Sequence, residues 1–182
     1  MQRAVRSIRY HAEAYGIDPN RLGALGGSSG GHLVNMLGVL EGAGDPENLD
    51  PVNRESARVQ CVVARAAPSS LLHMGRDSSL LGLSLKSAAP GTIEHKTFLE
   101  ASPVTHVSPE SSPFLLIHGD ADETVPFEQS EIMAEALRKA NVDVELLRIP
   151  GGGHGATFGG VPGPPDYVGE IVRWFDRMLP EA

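Results

Sequence analysis

The chain has 182 residues, 15 of them Lys or Arg and 23 Asp or Glu, for a formal charge of -8. That length suits one domain with a sizeable core, and the acidic balance argues against nucleic acid or an anionic membrane as the main partner. Gly at 21 and Pro at 14 exceed average usage but stay below the range of disordered chains, so a folded domain with many tight turns is expected. In chain order, Val5, Ile8, Ala12 and Tyr15 recur at helical spacing before Gly16, which predicts a helix over 2–15. Asp18-Pro19-Asn20 is a turn, and the short run 21–26 predicts a buried strand. From Ser29 onward, Leu33, Met36, Leu37 and Leu40 give a second helix that ends at Gly42 and Gly44. Residues 59–66 and 114–118 are aliphatic without strict alternation, as expected of strands covered on both faces.

Pro126 opens a helix with Ile132, Met133, Ala136, Leu137 and Ala140 on one face and Asn141 as its cap. Residues 144–149 predict the next strand, and a Gly/Pro-rich stretch runs from 151 to 165. Asp166 then caps a last helix with Val168, Ile171, Val172, Phe175 and Leu179 inward. This alternation predicts a three-layer α/β/α sandwich on a mostly parallel sheet, with 1–182 as one domain. Residues 70–112, where apolar pairs are broken by Pro, Ser and Gly, are read as an excursion over the sheet's carboxyl edge and a candidate cap. Cys61 stands alone, which excludes an intramolecular disulfide and a cysteine metal cluster and points to a reducing compartment. Residues 1–9 lack the apolar core of a secretory signal, and no apolar run approaches the roughly 18 residues needed to span a bilayer. A cytoplasmic location is the expectation.

Gly26-Gly27-Ser28-Ser29-Gly30-Gly31 lies between a predicted strand and a predicted helix, the context required of a G-x-S-x-G nucleophile elbow. A serine there must take a strained turn to project its oxygen, which leaves no room for side chains around it. Gly26 and Gly30 meet that need around Ser28, while Gly27 and Gly31 would do so around Ser29, so spacing alone leaves the two registers open. The same turn could instead bind an anion at a helix N-terminus. A serine nucleophile needs a base, and seven histidines are available. His154 lies in the glycine loop after the last strand, His118 ends an apolar strand and reads as a core histidine, and His32 could line a pocket or pack. His11, His73, His95 and His106 have no context beyond surface or loop positions. Asp120, Asp122 and Glu123 share the loop after Phe114-Leu115-Leu116-Ile117-His118, on the same sheet edge as Ser28.

At these residues the sequence resembles the α/β-hydrolase fold enzymes, within them the esterase and lipase branch related to bacterial feruloyl and acetyl esterases. The resemblance covers nearly the whole chain. It rests on Tyr15-Gly16-Ile17-Asp18-Pro19-Asn20-Arg21 leading into Gly-Gly-Ser-Ser-Gly-Gly-His, on Ala101-Ser102-Pro103, on His118-Gly119-x-x-Asp122-x-x-Val125-Pro126, and on Gly152-Gly153-His154-Gly155. It implies Ser28 as nucleophile, Asp122 as acid and His154 as base. It also implies an oxyanion contact from the backbone of Ser29, with Gly26, Gly27 and Gly30 shaping the elbow. The family's eight-stranded sheet and its His-Gly-Gly-Gly oxyanion loop are not matched, which implies a truncated version of the fold with about four strands. The strand at 21–26 then lies at an edge, and a homo-oligomer through that edge is expected. The activity implied is hydrolysis of small carboxylic esters through an acyl-serine, with no metal or organic cofactor. The alternatives are a serine peptidase of the prolyl-oligopeptidase type, and an inactive fragment or interaction module.

Overall fold

The computed structural model describes residues 1–155, 158 and 160–181; residues 156, 157 and 159 of the Gly/Pro-rich stretch lie outside the described residues. In chain order the elements are α1 (Gln2–Tyr10), α2 (Ala12–Tyr15), β1 (Gly23–Gly27), α3 (Ser29–Val39), β2 (Cys61–Arg65), α4 (Ile93–Glu100), β3 (Phe114–Gly119), α5 (Glu128–Lys139), β4 (Val144–Ile149) and α6 (Tyr167–Met178). The four strands form one parallel sheet in the order β1-β2-β3-β4, in register at Gly27–Arg65, Arg65–Ile117 and Ile117–Leu147. No helix is long and apolar enough to cross a membrane among the described residues.

β2 and β3 lack alternation because helices cover both of their faces. Val62, Ala64, Phe114 and Leu116 pack with Val34 and Leu37 of α3 and with Met133 and Leu137 of α5. Cys61, Val63, Leu115 and Ile117 turn the other way, toward Ile171 and Trp174 of α6. Each fully buried aliphatic chain of this kind stabilises the fold by about 1.5–3 kcal/mol. Helix α3 approaches the sheet closely enough that a Cβ at Gly38 would lie 2.6 Å from the Phe114 ring. Burial beside Trp174 pushes the Cys61 thiol up to about 11, so it is an inert core residue.

Several expected faces are rotated or cut. The strand expected to be buried has no buried residue: β1 is an outer strand with β2 as its neighbour, and Leu25 is 45% exposed. The first helix breaks at His11, and Ile8 and Tyr15 of its expected apolar stripe are exposed, although Gly16 does adopt the left-handed cap. Arginines at three-residue spacing anchor α1. Arg3 pairs with Asp50, Arg6 donates to the carbonyls of Ala43 and Glu55, and Arg9 donates to those of Pro19, Ser56 and Arg58. On α6 the buried stripe centres on Ile171 and Trp174, leaving Val168 and Val172 exposed. The caps at Asn141, with φ 57°, and at Asp166, which accepts from the Gly169 N–H at 2.8 Å, form as expected.

Residues 70–112 carry a small core of their own, in which Leu71, Ala88 and Phe98 are buried. Its two feet are tied together. Buried Ser102 accepts from the Leu71 N–H at 2.9 Å and donates to the Phe98 carbonyl at 2.7 Å, while the Gln129 side-chain oxygen accepts from the N–H groups of Ser69 and Ser70. Replacing Ser102→Ala leaves the Leu71 N–H unpaired in the interior and is expected to destabilise the chain by about 1–3 kcal/mol. Urea denaturation followed by circular dichroism measures this, and a midpoint equal to that of the parent chain would contradict it.

Candidate active site

Ser28 occupies the turn between β1 and α3 with φ 55° and ψ -122°, a left-handed conformation that costs a non-glycine residue about 1–3 kcal/mol. Its own N–H donates to the Arg65 carbonyl at the end of β2, 2.9 Å away, which pins the turn to the sheet. A Cβ at Gly26 would lie 2.2 Å from the Gly30 carbonyl oxygen, and one at Gly31 would lie 2.6 Å from the Ala67 side chain. The expected role of Gly30 is corrected by this geometry, since a Cβ there meets nothing within 4 Å. It is the backbone of residue 30 that crowds Gly26, and Gly31 that fits against the sheet. A Cβ at Gly27 would make only ordinary contact with Arg65.

The loops after β3 and β4 bring the other two residues to this turn. They are drawn together by backbone: the Asp120 N–H donates to the Ile149 carbonyl, the Ala121 N–H donates to the Gly152 carbonyl, and a Cβ at Gly119 would lie 2.1 Å from that same Gly152 oxygen. Within the acidic cluster, Asp120 braces the two loops by accepting from the Gly151 N–H at 2.6 Å and from Arg148 Nε at 2.7 Å. Asp122 instead turns inward. Its Oδ1 accepts from the N–H groups of Thr124 and Val125, both at 2.8 Å, and its Oδ2 accepts from His154 Nδ1 at 2.7 Å. Burial alone would raise the Asp122 pKa. The hydrogen bonds from Val125, His154 and Thr124 outweigh it and hold the carboxyl below its ordinary value.

With Nδ1–H committed to an ionised carboxylate, His154 Nε2 is left as an acceptor, and Ser28 Oγ lies 2.9 Å from it. The structure thus brings Ser28, Asp122 and His154 into one chain of hydrogen bonds and puts Ser29, Asp120 and Glu123 outside it. Ser29 is the first residue of α3, so its N–H has no intrahelical acceptor and adds to the positive end of the helix dipole. His118 is the fully buried core histidine its strand implied: Nδ1 accepts from Ser130 Oγ at 2.7 Å and Nε2–H donates to the Val125 carbonyl at 2.9 Å. Its position 3.3 Å from Asp122 Oδ2 was not visible in the sequence. Burial keeps His118 neutral by lowering its pKa.

Two cavities flank Ser28. One of about 330 Å³ runs from Ser29, His32 and Leu33 to Leu71, Met74 and residues 76–80 of the excursion, which is why Leu33 is not packed in the core. The other, of about 220 Å³, lies between Gly27, Arg65, Ala66, His154 and Gly155. Among the described residues no cluster of three His, Cys, Asp or Glu side chains is arranged to hold a metal ion.

Comparison with known proteins adds three findings. The BD-FAE family model matches residues 1–137. The chain is 29% identical to esterase LipC of Mycobacterium tuberculosis over 165 residues, 84% of this chain and 39% of that protein, and 28% identical to the uncharacterized peptidase YuxL of Bacillus subtilis over 90% of this chain and 23% of that protein. The structure of an acetyl ester-xyloside bifunctional hydrolase from Caldicellulosiruptor lactoaceticus superposes with a TM-score of 0.79 at 34% identity, covering 97% of this chain and 63% of that one. The chain therefore spans well under half the length of these two curated relatives.

The elbow geometry makes a paired expectation. Gly26→Ala should destabilise the chain by about 3 kcal/mol or more through the clash with backbone, whereas Gly30→Ala should stabilise it by about 0.5–1 kcal/mol through helix propensity. Thermal melts of the two variants test the sign of each effect.

Proposed function

The chain belongs to the BD-FAE family of α/β-hydrolase esterases, and from that premise we propose that it hydrolyses small carboxylic esters, with Ser28 as nucleophile, His154 as base and Asp122 as its partner. The observation that carries the reading is the Ser28–His154–Asp122 chain, with links of 2.9 and 2.7 Å, mounted on a strained turn. His154 Nε2 takes the Ser28 proton as Oγ bonds to the ester carbonyl, and Asp122 stabilises the imidazolium that forms. The carbonyl oxygen, now negative, accepts from the Ser29 N–H at the head of α3. Collapse of the tetrahedral species breaks the bond to the alcohol oxygen, which leaves with the proton held on His154. Water then repeats the sequence on the acyl-serine and releases the acid. The leaving oxygen must be within reach of His154, so the alcohol occupies the cavity that His154 lines and the acyl group occupies the larger one beside His32.

The similarity to the peptidase YuxL supports a second reading, amide hydrolysis by the same three residues. Turnover of p-nitroanilides well above that of p-nitrophenyl acetate and butyrate would favour it. For the ester reading, Ser28→Ala should abolish p-nitrophenyl butyrate hydrolysis and fluorophosphonate labelling, Ser29→Ala should retain both, and Asp122→Asn should lower kcat by about 10²–10⁴. Labelling that survives Ser28→Ala and disappears in Ser29→Ala would overturn the assignment. The outer position of β1, with Leu25 45% exposed, supports self-association through that edge. Sedimentation velocity at micromolar concentration should show dimers or larger species, and a monomer would refute it.

A further inference from the structure

We propose that the cavity beside Ser28 selects acyl groups that carry a hydroxyl, and that His32 is the residue that recognises it; the inference rests on the ester-hydrolase reading and names its substrate class. Most of the cavity wall beyond Ser28 is apolar, formed by Leu33, Pro68, Leu71, Met74 and Val125, which suits a hydrocarbon chain. The polar side chains that share the wall at Ser29, Arg76, Asp77, Ser79 and Thr124 are exposed and Ser78 is half-buried, whereas His32 is a buried one. Its N–H bonds to the Ser28 carbonyl, so it stands one helical turn past the nucleophile, about 6 Å along the axis of α3. It is only 7% exposed, yet it lines the cavity.

Burial lowers the His32 pKa and keeps the ring neutral, with one N–H and one lone pair. Nδ1 lies 3.4 Å from the Pro68 carbonyl. A carbonyl can only accept, so the proton sits on Nδ1 and Nε2 is a bare acceptor. Among the described residues Nε2 has no protein partner, and it is not among the polar atoms sealed inside the protein, so it opens on the cavity. A plain acyl chain displaces water from Nε2 and offers nothing in return. A hydroxyl at the right depth donates to it.

The test is pH-stat hydrolysis of methyl hexanoate, methyl 3-hydroxyhexanoate and methyl 6-hydroxyhexanoate by the 182-residue chain, with Ser28→Ala subtracted. One hydroxylated ester should exceed hexanoate in kcat/KM by about tenfold or more. That ratio should fall to near one in His32→Leu and be partly kept in His32→Gln, whose amide oxygen can accept. A ratio is insensitive to the fraction of enzyme that folds. Equal turnover of all three esters by the parent chain overturns the inference and leaves the ester reading standing, as does a preference that persists in His32→Leu. A preference that appears only when the hydroxyl is on the alcohol, as in 2-hydroxyethyl hexanoate, also overturns it. If no turnover depends on Ser28, the ester reading itself has failed. The inference is then judged by ¹⁵N NMR of histidine-labelled chain, where 3- or 6-hydroxyhexanoate but not hexanoate should shift the His32 Nε2 resonance, and no difference overturns it.

Discussion

A parallel sheet sends the carboxyl ends of all its strands to one edge, and nearly everything described for this chain follows from that constraint. β1 delivers Ser28 there, β2 supplies the Arg65 carbonyl that pins Ser28, β3 delivers Asp122, and β4 delivers His154. Residues 28, 122 and 154 are far apart in the chain and within hydrogen-bond reach in space because adjacent strands in register end at the same level. The helices that close each crossover do the rest. By covering β2 and β3 on both faces they make the edge rigid, so that a serine can be held in an unfavourable backbone conformation instead of relaxing out of it.

Two carboxylates two positions apart in the same loop divide the labour. Asp120 is a brace: it joins the β3 and β4 loops through Gly151 and Arg148, whose guanidinium lies 5.4 Å over the Phe127 ring. Asp122 faces inward and has its acceptor sites occupied by two backbone N–H groups and His154, with buried His118 close by. A carboxylate surrounded in this way has a single low-energy orientation, and that orientation fixes which nitrogen of His154 carries the proton. The tautomer that leaves His154 Nε2 free to accept from Ser28 is thus settled two hydrogen bonds away from the serine.

Much of this was legible in the sequence because it is written in short local patterns. Glycines flank Ser28, the His-Gly-x-x-Asp run places its acid just past a strand, and His154 sits in a glycine loop after the next strand. What local pattern does not carry is direction. Ser28 and Ser29 are equivalent by spacing, and only the φ of 55° at Ser28 and the helical start at Ser29 separate them. Gly30 and Gly31 look alike until a side chain is built on each. Leu33 follows a helical stripe into what is in fact a cavity wall. Trp174, two positions beyond Val172, takes the core place that aliphatic spacing assigned to its neighbours, and α1 is held by arginines donating to carbonyls whose positions no sequence pattern announces.

The staple at the feet of the 70–112 excursion has an evolutionary reading. Ser102 ties the two ends of that arch to each other and Gln129 ties its start to α5, so the ends stay fixed whatever lies between them. Closing a longer arch costs only a logarithmic increment of chain entropy, roughly 0.6 kcal/mol for each doubling of its length. Insertions, deletions and substitutions between the feet can therefore reshape the wall around residues 71–80 while leaving the hydrogen-bonded chain at Ser28 untouched. Such an architecture lets a lineage change what it accepts far faster than it changes what it does.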